Sequence, residues 1–179
     1  MAKAMKLAAA SSFLLTMVFI GLHFSNVTWA FPCAITFGTC FYHFFMRLVV
    51  GYSINCKMRN RADYTKPWYQ PRSFEASLYR ILQVKKWKAG MPTYNPSLFD
   101  PKQHSWDEIA QAMCQAEIVH EVIAILSFLP LLGAIPFGAF PVFLITAVLS
   151  ALFDLSFVAM QRFNRPRIIK LINKERTVK

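Results

Sequence analysis

The stretch "IVHEVIAILSFLPLLGAIPFGAFPVFLITAVLSALFDLSFVAM", from Ile118 to Met160, decides the fold. A membrane-spanning helix needs about 20 mostly apolar residues, so this stretch is long enough for two crossings. Gly and Pro residues near its middle, in "LLGAIPFGAFP", are typical of a hairpin turn. The stretch therefore predicts two transmembrane helices, at about residues 118–135 and 139–160.

Two further apolar blocks lie near the N-terminus, at about residues 7–24 and 28–51. A cleaved signal peptide is the weaker reading of the first block, because no small-x-small cleavage site follows it and the second block begins at once. Hydrophobic residues make up 55% of the 179 residues and lie in long blocks, which is not typical of a soluble domain. We therefore predict an all-α integral membrane protein of one domain, residues 1–179, with four transmembrane helices.

The placement of charge predicts the orientation. The two predicted outer loops, His23–Trp29 and Leu132–Phe140, contain no Lys or Arg, although the chain has a net charge of +11. Basic residues favour the cytoplasmic side, so both termini, the segment 52–117 and the tail 161–179 are predicted to be cytoplasmic. The positive charge then indicates contact with the anionic surface of the bilayer. We expect no nucleic-acid binding, because no soluble domain remains to carry it.

The central segment is predicted to contain two helix starts. The sequence "SFEASLYRILQVKKWKAG" predicts one amphipathic helix at the membrane interface, from a cap at Ser73 to Gly90. A solvated basic face on a loop helix is the alternative. Further along, "SWDE" forms a capping box between Ser105 and Glu108, which predicts a helix running unbroken to Pro130.

Ionisable residues mark the beginning of the third span, where they are costly and usually functional. Glu117, His120 and Glu121 follow one another at i, i+3 and i+4, so they share one helix face. Antiparallel pairing of the third and fourth spans places Asp154 level with about residue 118. We therefore predict that these four side chains meet near the cytoplasmic leaflet.

The second span carries a weaker polar signal. His43 and Arg47 share a face at i, i+4, and Arg47 is placed to balance the acids. The plain alternative for each polar residue is that it pairs locally or extends to the interface. A metal centre is another alternative, because Glu-x-x-His supplies two ligands from one helix face. Since the chain has no second motif of this kind, we expect no metal and no cofactor.

Three motifs carry a resemblance to a known family. They are Lys-Trp-Lys in "YRILQVKKWKAGMP", Glu-x-x-His in "AEIVHEVIAILSFLP", and Gln-Arg-aromatic-Asn-Arg-Pro-Arg in "MQRFNRPRIIKLINK". The chain from about Tyr79 to Lys174 resembles the glycosyl-4,4'-diaponeurosporenoate acyltransferase family, small membrane proteins of bacterial carotenoid glycolipid synthesis. The resemblance implies transfer of a fatty acyl group to a sugar hydroxyl of a glycosylated C30 carotenoid, at a bacterial cell membrane.

The same motifs imply a set of site residues, and Glu121 and Asp154 lie outside them. The implied positions are Lys86, Trp87, Lys88, Glu117, His120, Gln161, Arg162, Asn164, Arg165 and Arg167. We predict that His120 is a general base oriented by Glu117. Gln161 or Asn164 is predicted to donate a hydrogen bond to the oxyanion. The cations predicted to hold a phosphate-bearing acyl donor, which is a substrate such as acyl-CoA or an acyl-carrier thioester, are Lys86, Lys88, Arg162 and Arg165.

Alternatives remain at each level. In "NRPR", Arg165 and Arg167 could simply stop the span at the headgroups while Pro166 breaks the helix. For the whole protein, the alternatives are a non-catalytic membrane protein for lipid binding or assembly, and a metal-dependent enzyme that modifies lipids. The acceptor, whether a glycolipid or another lipid, and the oligomeric state are left open by the sequence.

Overall fold

A computed structural model describes residues 2–178, which form helices and their connections without any strand. The α-helices are α1 (Ala2–Phe24), α2 (Ala30–Met58), α3 (Glu75–Ile81), α4 (Val84–Trp87), α5 (Trp106–Leu126), α6 (Ala134–Phe137) and α7 (Phe140–Val178). Short 3₁₀ helices occupy the connections at Pro67–Tyr69, Lys88–Gly90, Pro96–Phe99 and Leu129–Gly133.

Four helical segments are long and apolar enough to cross a membrane. They are Ala2–Phe24, Ala30–Met58, Trp106–Phe137 and Phe140–Thr177. The predicted fold class, all-α with four helices able to span a bilayer, is confirmed. The residues at which a bilayer begins and ends along these helices stay predictions.

The chain divides into two compact units. One, called here the apolar unit, contains residues 2–52 and 122–153, and the other, the polar unit, contains residues 53–121 and 154–178. Helices α5 and α7 contribute residues to both units. The expectation of one membrane domain stays a prediction beside this division.

Aromatic contacts and lipid-compatible side chains characterise the apolar unit. Phe19 stacks on Phe37 with 5.4 Å between the ring centroids, which joins α1 to α2. Many large hydrophobic side chains of this unit are exposed, and the fractions for Leu7, Ile125, Ile135 and Leu149 lie between 62% and 83%. Exposed apolar surface on this scale is unfavourable in water and suits contact with lipid.

The predicted helix ending at Pro130 is wrong by four residues, because α5 ends at Leu126. Proline lacks an N–H and disfavours the α conformation in the residue before it, and a 3₁₀ helix over Leu129–Gly133 takes over here. The chain then turns after α6, where Gly138 and Ala139 have φ of 65° and 51°. Glycine adopts a positive φ readily, which explains the presence of Gly138 at this turn.

The single helix predicted from Ser73 to Gly90 is also wrong. The structure has two short helices there, and Gln83 between them takes a left-handed conformation with φ of 50°. By contrast, the predicted capping box at the start of α5 is present. Ser105 N–H donates to Glu108 Oε2 at 2.9 Å, and Glu108 N–H donates to Ser105 Oγ at 3.3 Å.

Helix α3 has an inverted distribution of side chains. Its buried residues are polar, Glu75 and Tyr79, whereas Phe74 just before it and Ile81 at its end are 56% and 76% exposed. An amphipathic helix in a soluble protein buries its apolar face instead. The polar face of α3 is therefore turned towards the interior of the polar unit.

Helix α7 continues through Pro166, so the alternative in which this proline breaks the helix is wrong. The neighbouring Arg165 is buried and its guanidinium is held by partners within the polar unit. These contacts offset the hydrogen bond that the proline cannot make. Most buried side chains of α7 recur at spacings of three, four or seven, namely Phe143, Ala147, Ala151, Asp154, Val158, Gln161, Arg165 and Ile172. Phe157, next to Val158, is buried as well.

Candidate active site

Glu117 of α5 is completely buried and lies between two arginines of α7. Arg162 Nη1 donates a hydrogen bond to Glu117 Oε1 at 2.5 Å, and Arg165 Nη2 pairs with Glu117 Oε2. A buried carboxylate is tolerated only when it is paired and hydrogen-bonded. The two arginines supply that pairing and join α5 to α7 within the polar unit.

Arg162 uses its whole guanidinium group in such contacts. Its Nε and Nη2 donate to Glu75 Oε1 on α3, at 2.9 and 2.5 Å. Its Nη1 and Nη2 also donate to the carbonyl oxygens of Trp68 and Gln70, each at 2.9 Å. With the bond to Glu117 these make five contacts, equal to the five N–H groups that a guanidinium offers.

Arg165 makes fewer contacts than Arg162, and these are also with protein groups. Its side chain is 1% exposed, its Nη1 donates to the carbonyl oxygen of Tyr69 at 2.7 Å, and its guanidinium lies 5.2 Å from the centre of the Tyr69 ring. The role predicted for Arg162 and Arg165, holding an acyl donor, stays a prediction. In this structure their charges are directed at protein carboxylates and carbonyls.

His120 is held by Asp154. His120 Nδ1 lies 2.8 Å from Asp154 Oδ1, and the imidazole stacks on Phe157 with 4.4 Å between ring centres and an angle of 7°. Asp154 is 1% exposed, whereas the histidine side chain is 23% exposed. The other ring nitrogen, Nε2, has no hydrogen bond to any described residue, so it is available to a substrate.

This pairing corrects one predicted contact. Glu117 was expected to orient His120, and the structure gives that position to Asp154. The i, i+3 spacing places Glu117 and His120 on one face, but the opposite charge on Arg162 and Arg165 holds the glutamate. The predicted approach of Asp154 to this end of α5 is present in the structure.

The remaining predicted residues of the polar unit differ in their contacts and burial. Glu121 Oε2 accepts a hydrogen bond from Trp68 Nε1 at 3.1 Å. Gln161 is 6% exposed and shares the buried face of α7 with Asp154 and Arg165. Lys88 Nζ donates to Asn164 Oδ1, and Arg167 lies over the Phe163 ring. Trp87 Nε1 donates to the carbonyl oxygen of Leu82 at 2.9 Å. Lys86 is exposed.

His43 and Arg47 belong to the apolar unit. Arg47 Nη1 donates to the carbonyl oxygen of His43 at 2.9 Å, and Arg47 Nη2 donates to Ser150 Oγ at 2.8 Å. Ser150 Oγ is in turn 2.8 Å from Ser127 Oγ. These contacts join α2 to α7 and to Ser127, the residue after α5, within that unit. The balancing of the acids by Arg47 stays a prediction.

Tyr79 completes the environment of Glu75. Its hydroxyl donates to Glu75 Oε2 at 3.0 Å, and its ring meets the Phe163 ring edge-on at 5.9 Å. Burial raises the pKa of Tyr79 to about 12, and the neighbouring Glu75 carboxylate acts in the same direction. Both oxygens of Glu75 therefore have partners, one from α3 itself and one from α7.

Sequence reasoning missed Glu75, Tyr79, Phe157 and Phe163. Glu75 and Tyr79 are spaced i, i+4 opposite the apolar residues of α3, and this spacing could have identified a polar inner face. Phe157 lies one turn after Asp154 on α7, but no pattern distinguishes it from the other phenylalanines. Within residues 2–178 no group of three or more His, Cys, Asp or Glu side chains is placed to hold a metal ion.

The fold and this site define a class, membrane proteins with several spans whose buried ionisable residues surround an accessible histidine. The family model for glycosyl-4,4'-diaponeurosporenoate acyltransferase matches residues 65–174, more than half of the chain. The chain belongs to this family and is an acyltransferase of a carotenoid pathway. No significant match was found among curated proteins or among solved structures. The matched range contains His120 and Asp154, and also Glu117 with its two arginines, Arg162 and Arg165.

Proposed function

We propose that the protein moves a fatty acyl group from a thioester donor to a hydroxyl of its glycolipid acceptor, with His120 as the general base. The family supports an acyltransferase that acts on a glycosylated carotenoid, and a sugar hydroxyl is the acceptor group we assign. The observation that carries the proposal is the 2.8 Å contact between His120 and Asp154, which leaves Nε2 open.

The chemistry follows from the two ring nitrogens. An ionised Asp154 accepts the Nδ1 proton, which fixes the tautomer that has a free electron pair on Nε2. Nε2 takes the hydroxyl proton while the oxygen attacks the thioester carbonyl carbon. The C–S bond then breaks, and the imidazolium returns the proton to the leaving thiolate. Asp154 stabilises the imidazolium between these two steps.

The neighbours supply the remaining requirements of this proposal. We assign Gln161 as the donor to the developing oxyanion, since it lies on the same buried face of α7 as Asp154. The Glu117, Arg162 and Arg165 contacts hold α5 against α7 and so fix the histidine relative to its aspartate. In this assignment Glu117 is a positioning residue and not a catalytic residue.

The test is ester formation by the purified protein in lipid nanodiscs. His120→Ala should lower kcat by about 10²–10⁴-fold, the range for general acid–base catalysis. Asp154→Asn should also lower kcat, because the amide does not stabilise the imidazolium. The matched control is His104→Ala, since His104 is a part-exposed histidine near Glu108, outside the site. Near-normal turnover by folded His120→Ala protein with saturating donor would rule out His120 as the base.

We also propose that both termini, the segment 52–117 and the tail 161–179 lie in the cytoplasm, at a bacterial cell membrane. The support is the distribution of Lys and Arg in the sequence. Single cysteines in place of Lys57, Lys102 and Lys174 should be protected from an impermeant thiol reagent in intact cells. Cysteines in place of Asn26 and Phe137 should react. Labelling of Lys102→Cys from outside would reverse the orientation.

A further inference from the structure

Two cations of the polar unit share one aromatic ring. Lys88 Nζ lies 4.7 Å from the centre of the Phe163 ring, and Arg167 Cζ lies 4.8 Å from the same centre. Cation–π contacts of this length are favourable and hold both charges in place. The Tyr79 ring packs against Phe163, with 5.9 Å between the ring centres and an angle of 80° between the ring planes.

Lys88 is part-buried and Arg167 is exposed, and these two cations differ from Arg162 and Arg165 in having no acidic partner. Neither Lys88 nor Arg167 forms a salt bridge with any described residue, whereas Arg162 and Arg165 both do. Lys88 donates only to the neutral Asn164 amide oxygen. Burial lowers the pKa of Lys88, and the charges of Arg167 and Lys85 lower it further.

Like charges held close together raise the free energy of the protein unless an anion joins them. A guanidinium offers paired N–H donors that match phosphate oxygens, and an ammonium adds a compact charge. Lys85 and Lys86, both exposed, add positive charge on the preceding helix α4. The group therefore has the charge and the donors for a phosphate-bearing ligand.

We propose that Lys88 and Arg167 form a phosphate-binding subsite for the carrier portion of the acyl donor, and that the donor is of the acyl-coenzyme A type. This proposal rests on the proposed acyl transfer and specifies its donor. It also separates two groups of basic residues. Lys88 and Arg167 bind the donor, whereas Arg162 and Arg165 hold the protein together.

The test compares two donors with the same thioester. Acyl-coenzyme A carries phosphates, and acyl-pantetheine keeps the thioester without them. Arg167→Gln and Lys88→Gln should each raise the KM for acyl-coenzyme A about 10-fold or more, the usual size for a lost charged hydrogen bond, with little change in kcat. The KM for acyl-pantetheine should not change. Lys102→Gln, which removes an exposed cation elsewhere, should leave both KM values unchanged.

The other outcomes are distinguishable. An equal rise in KM for both donors would overturn the subsite and leave the two residues with a positioning role. A phospholipid headgroup has the same phosphate chemistry, so turnover is also measured in phosphatidylcholine and phosphatidylglycerol nanodiscs. If turnover by the unmodified protein depends on phosphatidylglycerol, and the variants lose that dependence without a change in the KM for acyl-coenzyme A, then the two residues bind a phospholipid headgroup and the donor assignment is overturned. If the unmodified protein turns over neither donor, the proposed acyl transfer itself is overturned.

Discussion

The same two helices, α5 and α7, build two units with opposite interiors. On α7 the buried face of the apolar unit holds Phe143, Ala147 and Ala151, and in the polar unit it holds Asp154, Gln161 and Arg165. On α5, Ile125 of the apolar unit is 73% exposed, whereas Glu117 of the polar unit is completely buried. The apolar unit therefore depends on lipid around it, and the polar unit depends on charge pairing inside it.

This difference teaches where substitutions are dangerous. In lipid, an exposed Leu loses little on truncation, because the hydrocarbon that surrounds it fills the space. A buried ion pair is different, since removal of one partner leaves an uncompensated charge. The unit richer in polar residues is therefore the one expected to tolerate fewer changes at its buried positions.

The largest expected effect is that of Glu117→Ala. It leaves Arg162 and Arg165 without their shared carboxylate, and breaking a buried pair in this way costs about 3–5 kcal/mol. The matched change in the apolar unit is Leu149→Ala, at a 62% exposed position, with an expected change below about 0.5 kcal/mol. Thermal unfolding in nanodiscs measures both. Equal losses would remove the contrast between the units.

A smaller loss is expected for Arg162→Lys, which keeps the charge and changes its geometry. An ammonium has three donors where the guanidinium makes five contacts, so at least two contacts are lost. We expect a loss of about 3 kcal/mol, the size of one or two hydrogen bonds to charged groups.

The control for that variant is Arg167→Lys on the same helix. Arg167 is exposed and has no salt bridge with a described residue, so its change should alter the free energy of unfolding by less than about 0.5 kcal/mol. If Arg162→Lys were as stable as Arg167→Lys, the five contacts would not distinguish a structural arginine from a ligand-binding one.

The smallest effect concerns pH and Tyr79. Its folded pKa of about 12 lies above the ordinary value of 10.0, so the folded state favours the protonated phenol. This pKa shift adds to the free energy of unfolding, fully below about pH 10, and the addition is lost as the pH rises through about 12. Its upper limit is about 2.7 kcal/mol, from two pKa units. Relative to Tyr79→Phe, the unmodified protein should lose stability across this window. A constant difference between the two proteins would contradict the shift.

Much of the fold followed from local patterns that need no tertiary knowledge. Four apolar blocks predicted four helices able to span a bilayer, and "SWDE" predicted the start of α5. The break at Gln83 and the passage of α7 through Pro166 did not follow from the sequence. Helix propensity alone favours a continuous helix through Gln83 and a break at Pro166.

The site was predictable to the same degree. Antiparallel geometry brought Asp154 towards the end of α5 that carries His120, and the structure shows the contact. The acidic partner of each basic side chain was not predictable. Three acids, Glu117, Glu121 and Asp154, were candidates for His120, and several acids were candidates for Arg162. Glu75 is one of the partners of Arg162. It lies on α3, where apolar and basic residues dominate the sequence pattern and hide the polar inner face.

The five contacts of Arg162 also set an order of events in biosynthesis. Its partners Trp68, Gln70 and Glu75 precede it by 94, 92 and 87 residues. At about 5–20 residues per second, translation needs roughly 5–20 seconds to cover that distance. During that interval the carbonyl oxygens of Trp68 and Gln70 and the carboxylate of Glu75 cannot yet accept hydrogen bonds from Arg162. A nascent chain halted before residue 162 should therefore leave α3 open to proteases, and a chain extended past it should protect α3.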